Sequence, residues 1–332
     1  MVVVAIAGGS GKLGSAIVDV LVERGKHEVI VLTREVWVLP PFDEFLELRH
    51  ERWAKQKSNT GEYEGGQTTV SVQYDNVQSL TDTLESRKVE VLISTLDPQS
   101  GLDPELNLIK AADASLTTKR YIPSLWGIKY TPETAEISPI ARTKLVFYDA
   151  LNKTSLEWTA FANGYFLDYY LAPHVKTYMP PTALAIDVQN ATAAITGTGD
   201  VPVVFTYNFD IARFVAAALG LPKWDKTSYV IGDRVTLNEF LSIVEEARGV
   251  RFSVVKDSLE DLKAGRVTEL PSHPPLYPFF PKPHLQSLFA SFERLFEEGH
   301  FDMKPETSLN DVFPDIKTKT VRDGLLEAWK RG

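Results

Sequence analysis

The N-terminal stretch of the chain joins an apolar run, a glycine-rich turn and an amphipathic pattern without interruption. The run VVVAIA at residues 2–7 favours a buried strand. Apolar residues then repeat at helical spacing up to Gly25, at Leu13, Ile17, Val20 and Leu21. The turn between them is made of Gly8, Gly9, Ser10, Gly11, Lys12, Leu13 and Gly14. Glycines in a strand-to-helix turn let backbone N–H groups approach a phosphate at the positive end of the helix dipole. The pattern therefore predicts a dinucleotide-binding βαβ unit, with a glycine turn that serves only helix–strand packing as the alternative.

Short apolar runs and helical patterns keep alternating as far as residue 162. The runs that favour strands are Val2–Ala7, Glu28–Thr33, Thr69–Tyr74, Val89–Ser94, Arg120–Pro123 and Leu156–Phe161. Strands that alternate with helices indicate a parallel sheet. We therefore expect an α/β fold, with a Rossmann-type doubly wound parallel sheet at residues 1–162. Beyond it we expect a smaller mixed α/β substrate lobe at 163–332, partly interleaved with the last strands of the sheet.

Two segments interrupt this rhythm. Residues 35–68 are too long for an ordinary connection and mix prolines, glycines and charges, which predicts a surface insertion with one amphipathic helix near 42–55. It is either a loop without a role, or a lid or dimer contact. Residues 271–283, PSHPPLYPFFPKP, are too rich in proline for a helix or a central strand and should wrap the surface. The C-terminal stretch Val321–Arg331 favours a helix.

Composition narrows the class of partner. The 332 residues carry a formal net charge of −9, which argues against nucleic acid or an anionic membrane as the main partner. The absence of cysteine excludes disulfides, thiolate nucleophiles and cysteine-bound metals. No basic leader precedes the first apolar run, and no apolar stretch approaches the roughly 20 residues of a membrane span. We expect a cytoplasmic protein that is a monomer or a homodimer.

The end of the second predicted strand bears on cofactor choice. An NAD-binding protein presents an acidic residue there to the ribose 2′-hydroxyl, whereas this chain has Thr33 and Arg34. A guanidinium suits a 2′-phosphate, so the sequence favours NADPH or NADP over NADH, with Lys12 as a second cation. The alternative is a solvated surface arginine.

Further cofactor-binding candidates follow from the rule that open α/β sheets bind ligands at the carboxyl ends of their strands. Asp75 follows the third strand and would reach the adenine, and Ser94 and Thr95 end the fourth strand; for each of them the alternative is a helix cap or a turn residue. The remaining candidates lie at the ends of the fourth, fifth and sixth strands and are Leu96, Pro123, Ser124, Asn163 and Gly164.

Proton chemistry needs a group of its own. No tyrosine from Tyr148 to Tyr170 has a lysine four residues later, so the Tyr-x-x-x-Lys pair of short-chain dehydrogenases is absent there. Lys144 lies near the start of a helix on the expected cofactor side, where it would hydrogen-bond the nicotinamide ribose and act as general acid or base. The alternative is an exposed lysine in a first helical turn.

The segments AIAGGSGKLG, LTR, LISTL, KRYIPSLWG and LEWTAFANGYFLDYY, together with Lys144, resemble the NmrA-like branch of atypical short-chain dehydrogenases, and its fungal members most. This branch includes isoflavone reductases and related phenylpropanoid reductases. The resemblance runs from residue 2 to about residue 255. It implies a Rossmann domain with a small substrate lobe, NADPH as cofactor, and Lys144 at the position of the catalytic lysine. The chain departs from the family at Leu125, where an acidic residue is common.

Aromatic residues suggest a pocket for an aromatic or terpenoid-like substrate. The candidate walls are Trp126, Tyr130, Tyr165, Phe166, Tyr169, Tyr170 and Phe205, and for any one of them a core position is the alternative. His174 either takes part in proton transfer or is a structural or surface residue. We expect no metal, because no histidine pair has zincin spacing, and no G-x-S-x-G elbow supports a serine hydrolase.

These features together indicate an NADPH-dependent reductase that transfers hydride to a conjugated C=C, C=O or C=N of a small apolar or aromatic secondary metabolite. Two other functions remain open: a redox-sensing regulator that binds the dinucleotide without turnover, and a redox-neutral isomerase or cyclase.

Overall fold

The computed structural model describes residues 1–34, 60–62, 67–97 and 101–330. They form two compact units. The first, here the N-terminal unit, consists of residues 1–124 and 150–158, and the second, here the C-terminal unit, consists of residues 125–149 and the chain from Thr159 onward. The chain therefore changes unit after residues 124, 149 and 158. The functional division at residue 162 stays a proposal.

The N-terminal unit contains the predicted parallel sheet, which confirms the α/β, Rossmann-type fold. The strand order is β3-β4-β2-β1-β5-β6-β7, and every neighbouring pair is parallel except β3 with β4. The strands are β1 Val3–Ala7, β2 Glu28–Thr33, β3 Thr60–Glu62, β4 Gln67–Ser71, β5 Val91–Ser94, β6 Arg120–Ile122 and β7 Glu157–Trp158. Residues 4–7 of the central strand β1 are fully buried, because helices cover both faces of a parallel sheet of this kind.

Helices connect these strands along the chain, and Gly25 and Asn76 cap two of the helix ends. They are α1 Lys12–Arg24, α2 Val77–Ser86, α3 Asp103–Ala114, α4 Pro132–Ile137 and α5 Pro139–Leu151. Gly25 ends α1 in the left-handed conformation, with φ of 60°, as the sequence predicted. Asn76 starts α2 by accepting a hydrogen bond from the backbone N–H of Ser79 at 2.9 Å.

Two strand predictions need correction. The run Leu156–Phe161 is not one strand, because β7 ends at Trp158. The next strand, β8 at Ala160–Ala162, belongs to a different sheet, where it pairs with residues 227–229. The third predicted strand lies at residues 67–71 rather than 69–74, although Val72 and Tyr74 are buried. In the predicted insertion 35–68, residues 60–62 form the antiparallel edge strand β3. The rest of that insertion up to residue 66, including the predicted helix at 42–55, lies outside the described residues.

The C-terminal unit is built from small sheets and helices around an aromatic core. Its further strands are β9 Tyr165–Phe166, β10 Ile186–Asp187, β11 Thr192–Thr196, β12 Pro202–Thr206, β13 Thr227–Tyr229, β14 Asp233–Thr236 and β15 Ser253–Asp257. Its further helices are α6 Asp168–Leu171, α7 Asn208–Ala218, α8 Leu237–Arg248, α9 Leu259–Lys263, α10 Lys282–Glu297, α11 Leu309–Val312 and α12 Val321–Trp329. Helix α12 confirms the helix predicted at the end of the chain.

Residues 271–283 are mostly exposed or half-buried, in keeping with a surface segment. A single 3-10 turn, Pro274–Leu276, is followed by α10, which begins at Lys282 and so overlaps the last two residues of the segment. Pro283 is tolerated there because the first helical turn needs no donor from its backbone. In the described ranges, no helix is both long enough and apolar enough to cross a membrane.

Candidate functional site

The glycine turn between β1 and α1 is tightly folded. Gly8 has a φ of +74°, its N–H donates to the carbonyl of Leu32 at 3.1 Å, and its own carbonyl accepts from the N–H of Gly11 at 2.8 Å. A Cβ at position 14 would come within 2.3 Å of that Gly8 carbonyl oxygen. Position 14 therefore has room only for glycine.

The start of α1 is suited to an anion. Its first residue follows Gly11, which gives no side-chain cap, and its first turn carries no acidic residue. Ser10, Gly11 and Lys12 are exposed at this end, whereas Gly9, Leu13 and Gly14 are buried beneath it. Backbone N–H groups and the helix dipole are therefore available to a phosphate group. The residues present fit the diphosphate of a dinucleotide.

Lys12 has a neighbour that the sequence did not reveal. Its Nζ lies 3.9 Å from a carboxylate oxygen of Asp97, and both side chains are about half exposed, at 54% and 49%. Asp97 stands just beyond β5. An acidic residue thus faces the lysine that we predicted as a second cation for the 2′-phosphate.

The end of β2 carries the two residues proposed for cofactor selection. Thr33 is buried and Arg34 is exposed, and the carbonyl of Arg34 accepts from the hydroxyl of Ser71 at 3.2 Å. Tyr74 donates to the carbonyl of Leu32 at 3.0 Å, and burial raises the pKa of this tyrosine well above its usual value. The backbone that carries Arg34 is therefore held in place by hydrogen bonds from Ser71 and Tyr74.

Asp75 is exposed beside this strand end. The helix-capping side chain at the start of α2 is that of Asn76, so Asp75 is not the cap, but Asp75 does lie in the turn that precedes this helix. An exposed carboxylate after β4 remains a proposed adenine contact.

The residues at the end of β5 differ in what they face. The hydroxyl of Thr95 lies 2.9 Å from the carbonyl of Ala7 and 3.1 Å from that of Gly8, so it ties β5 to the glycine turn. Ser94 is fully buried, and its hydroxyl donates to the carboxylate of Glu105. Leu96 is half-buried, and its carbonyl accepts from the hydroxyl of Ser124 at 2.7 Å.

Glu105 is a functional candidate that sequence reasoning missed. It is 2% exposed, on α3, and it accepts from Tyr121 at 2.9 Å and from the backbone N–H of Ser124 at 3.1 Å. Pro123 and Ser124 are buried after β6. A signal was present, because a glutamate occupies the helix face that also carries Leu108, Ile109 and Ala112.

Lys144 is buried rather than exposed. Only 4% of the residue is accessible, and it lies in the second turn of α5, so it is not an exposed lysine of a first turn. Tyr148 follows four residues later, on the same helix face, and burial raises its pKa to about 12. The chain thus carries a Lys-x-x-x-Tyr spacing, the reverse of the order sought in the sequence.

Asn163 and Gly164 hold a turn in the C-terminal unit. The backbone N–H and the side-chain oxygen of Asn163 pair with the carbonyl and N–H of Gly127, at 2.8 and 2.9 Å. Gly164 has a φ of +75°, and a Cβ there would come within 2.2 Å of the carbonyl oxygen of Val204. The side chain of Asn163 is therefore committed to this turn, and its proposed cofactor contact rests on the backbone.

The predicted pocket walls fall into two groups. Tyr165, Tyr170 and Phe205 are at most 6% exposed and pack ring to ring in the core of the C-terminal unit, so the alternative of a core position applies to them. Tyr170 also donates to the carbonyl of Leu184 at 2.8 Å. The less enclosed rings are those of Tyr130, Phe166 and Tyr169.

Two further candidates have local partners. Trp126 is 8% exposed and packs 5.4 Å from Phe161, and its carbonyl accepts from Tyr130 at 2.6 Å. His174 is exposed and packs edge-on against Trp329, 4.5 Å between ring centres, which is the surface alternative named above. Across the described residues, no group of three or more histidine, aspartate or glutamate side chains is placed to hold a metal ion.

Comparisons with known proteins agree with this architecture. The chain is 32% identical over 323 residues to oxidoreductase BOA1 of Botryotinia fuckeliana (strain B05.10), covering 95% of this chain and 96% of that protein. Leucoanthocyanidin reductase from Vitis vinifera, solved in complex with NADPH, superposes with a TM-score of 0.71 at 19% identity, covering 98% of this chain and 99% of that one. AtPrR2, solved with NADP+ and (+)pinoresinol, gives a TM-score of 0.69 at 21% identity over 98% of each chain.

The likeness to these two solved structures shows the fold. The family assignment rests on a match to the NmrA-like family that extends over residues 2–321. The matched range includes the glycine turn, the strand ends that carry candidate residues, and Lys144. The chain belongs to the NmrA-like family.

Proposed function

We propose that this protein is an NADPH-dependent oxidoreductase that reduces a small, largely apolar metabolite. The observation that carries the proposal is the glycine turn, where the 2.3 Å approach of a Cβ at Gly14 to the Gly8 carbonyl leaves a bare backbone cradle at an uncapped helix start. Arg34, exposed at the end of β2, supports NADPH over NADH. A curated relative at 32% identity over almost the whole chain is named an oxidoreductase, which supports the reaction class.

The residues that would hold the cofactor come mostly from the N-terminal unit. The backbone N–H groups of Gly8 and Gly11 already pair with carbonyls, so the other N–H groups of residues 8–14 would bind the diphosphate. Arg34 and Lys12 would bind the 2′-phosphate. Thr95, Leu96 and Ser124 line the carboxyl ends of β5 and β6, where an open α/β sheet binds its ligand. When bound, NADPH supplies the hydride for the reduction.

Lys144 is the proposed catalytic residue. Its ammonium group would orient the ribose by hydrogen bonding and provide the proton that the reduced substrate requires. Burial of Lys144 to 4% exposure supports this role, because a solvated lysine on a helix surface would remain fully hydrated.

The proposed substrate carries a conjugated C=C, C=O or C=N and a flat apolar body. Phe166 and Tyr169 support this, since both rings are only half-buried and lie 6.0 Å apart at a steep angle. Aromatic faces and edges of this kind bind planar apolar groups. A terpenoid or an aromatic secondary metabolite fits this description.

The test is a search for deuterium transfer. The protein is incubated with NADPH deuterated at C4 of the nicotinamide and with an extract of its source, and metabolites that gain deuterium are sought by mass spectrometry. A labelled product that disappears in Lys144→Ala supports the proposal. Unlabelled products that change in abundance would indicate a redox-neutral isomerase or cyclase instead. Binding of NADPH with no change in any metabolite would favour a regulator.

A further inference from the structure

Glu105 organises a buried hydrogen-bond network at the carboxyl ends of β5 and β6. One carboxylate oxygen accepts from the hydroxyl of Ser94, and the other accepts from Tyr121 at 2.9 Å and from the backbone N–H of Ser124 at 3.1 Å. Both Ser94 and Tyr121 are fully buried. An ionised carboxylate only accepts hydrogen bonds, and three donors converge on this one.

The network fixes backbone as well as side chains. The hydroxyl of Ser124 donates to the carbonyl of Leu96 at 2.7 Å, so the segment after β6 is tied to the segment after β5. Thr95 lies between Ser94 and Leu96, and its hydroxyl contacts the carbonyls of Ala7 and Gly8. Glu105 thus anchors a continuous line of contacts from the end of β6 to the glycine turn.

A purely structural role is a poor explanation for this charge. Enclosing a carboxylate costs free energy, and an apolar residue of the same volume usually serves packing as well or better. The rest of the buried face of α3 is apolar, with Leu108, Ile109 and Ala112. The carboxylate stands at the end of that face where the strands reach the ligand-binding edge of the sheet.

The place of the network along the sheet indicates which part of the cofactor it serves. The chain runs from β1 to β2 and β4 on one side, and through β5 and β6 on the other, so the direction reverses between β1 and β5. The adenosine ribose of a dinucleotide is recognised at the end of the second strand, here at Arg34. The ends of β5 and β6 would therefore lie beside the nicotinamide half of a bound dinucleotide.

We propose that Glu105 is a positioning residue that holds Ser94, Leu96 and Ser124 in the arrangement that binds the nicotinamide half of NADPH. This inference rests on the proposed function. It assigns Glu105 no contact with the cofactor itself. Its effect passes through the backbone of the two strand ends.

The test compares two ligands on the full-length protein. NADPH has both halves, whereas adenosine 2′,5′-bisphosphate carries only the adenosine half with its 2′-phosphate. Glu105→Gln keeps the side-chain shape but removes the negative charge to which three donors converge, and the hydroxyl of Ser94 must then accept from the amide instead of donating to a carboxylate. We expect about tenfold weaker binding of NADPH, the size of effect that follows from losing a hydrogen bond to a charged group, and less than about twofold change for the bisphosphate. The fluorescence maximum of bound NADPH, which reports the nicotinamide environment, should shift as well.

Thr118→Val is the matched control. Thr118 is 2% exposed, and its hydroxyl donates to the carbonyl of Val89 at 3.0 Å, joining the segments that lead into β5 and β6 at their opposite ends. It should leave both affinities and the fluorescence maximum unchanged. Equal loss of both ligands in Glu105→Gln, or no loss of either, would overturn the positioning role. If the unaltered protein binds neither NADPH nor the bisphosphate, the proposed function itself is overturned.

Discussion

Gly14 and the hydroxyl of Thr95 face each other so closely that a Cβ at position 14 would lie 2.6 Å from the oxygen. The end of β5 thus limits the first turn of α1. Gly14→Ala should force the glycine turn apart, weaken NADPH binding at least about tenfold, and lower the free energy of unfolding by about 1–3 kcal/mol. Ligand titration and urea denaturation measure the two effects. Ser10→Ala, at an exposed position of the same turn, should change neither stability nor overall folding.

Arg34 should determine the choice between the two nicotinamide cofactors. A hydrogen bond to a charged group contributes about 1.5–3 kcal/mol, so Arg34→Ala should weaken NADPH binding roughly 10- to 150-fold and spare NADH. Titration of both cofactors at one ionic strength is the measurement. Equal weakening of the two would remove Arg34 from 2′-phosphate recognition.

Asp97 should oppose cofactor binding. Its carboxylate lies 3.9 Å from Nζ of Lys12 and adds a negative charge beside the proposed phosphate site. Asp97→Asn releases the lysine and should tighten NADPH binding about two- to fivefold, the range expected for an exposed ion pair. The gain should shrink as salt rises. Weaker binding in this variant would show that Asp97 helps to hold the cofactor.

Lys144 should affect turnover much more than recognition of the adenosine half. With the substrate found by deuterium transfer, Lys144→Met should lower kcat about 10²- to 10⁴-fold, because general acid catalysis contributes in that range. Binding of adenosine 2′,5′-bisphosphate should not change. The control is Lys129→Met, an exposed lysine of the same unit. A variant at position 144 that keeps more than about a tenth of the turnover would exclude Lys144 as the proton donor.

Glu293 should make stability depend on pH. It is 2% exposed on α10 and accepts from Thr196 at 2.7 Å, and burial, followed by the charge of Asp257, raises its pKa from 4.5 to about 8. The folded state then binds more protons than the unfolded state between those two values. Stability should therefore fall as pH rises from about 4.5 to 8, by at most about 1.4 kcal/mol per pH unit for this group, and level off above.

Urea denaturation at several pH values tests this dependence. Glu293→Gln removes the titrating group and should make stability less dependent on pH between about 4.5 and 8, so that the variant gains stability relative to the unaltered protein as pH rises. Asp168, fully buried with a pKa that burial raises to about 7, contributes a slope of the same sign and remains in both proteins. A difference between the two proteins that does not vary with pH would contradict the role of Glu293.

The glycine turn and the parallel sheet were predictable because both depend on local pattern. Glycine spacing, an apolar strand and helical periodicity all lie within residues 2–25, and Gly25 ends the helix as expected. The break at Thr159 was not predictable. The run Leu156–Phe161 is apolar throughout, and only pairing of β8 with the distant strand β13 divides it from β7.

Site residues with distant partners were also beyond the sequence. The partners of Ser94 and Thr95 are a carboxylate eleven residues on and two carbonyls more than eighty residues back, so the adjacent hydroxyls face different neighbours. Aromatic residues gave no signal that separates core from pocket, which is why Phe205 and Phe166 were grouped together although one is fully buried and the other half-buried. Lys144 was selected for its position near the start of a helix on the expected cofactor side, with support from the family resemblance, and its burial could not be read from the sequence.

The return of the chain to the N-terminal unit at residues 150–158 has a consequence during synthesis on the ribosome. Strand β7, the last strand at one edge of the parallel sheet, is translated only after residues 125–149. Those residues belong to the C-terminal unit, and the rest of that unit begins only at residue 159. A nascent chain halted at residue 124 has β6 as its unpaired edge strand, and one halted at residue 162 carries helix α5 without most of the unit to which that helix belongs. Productive folding is therefore expected to be largely post-translational, which makes the nascent protein dependent on chaperones that shield unpaired edges.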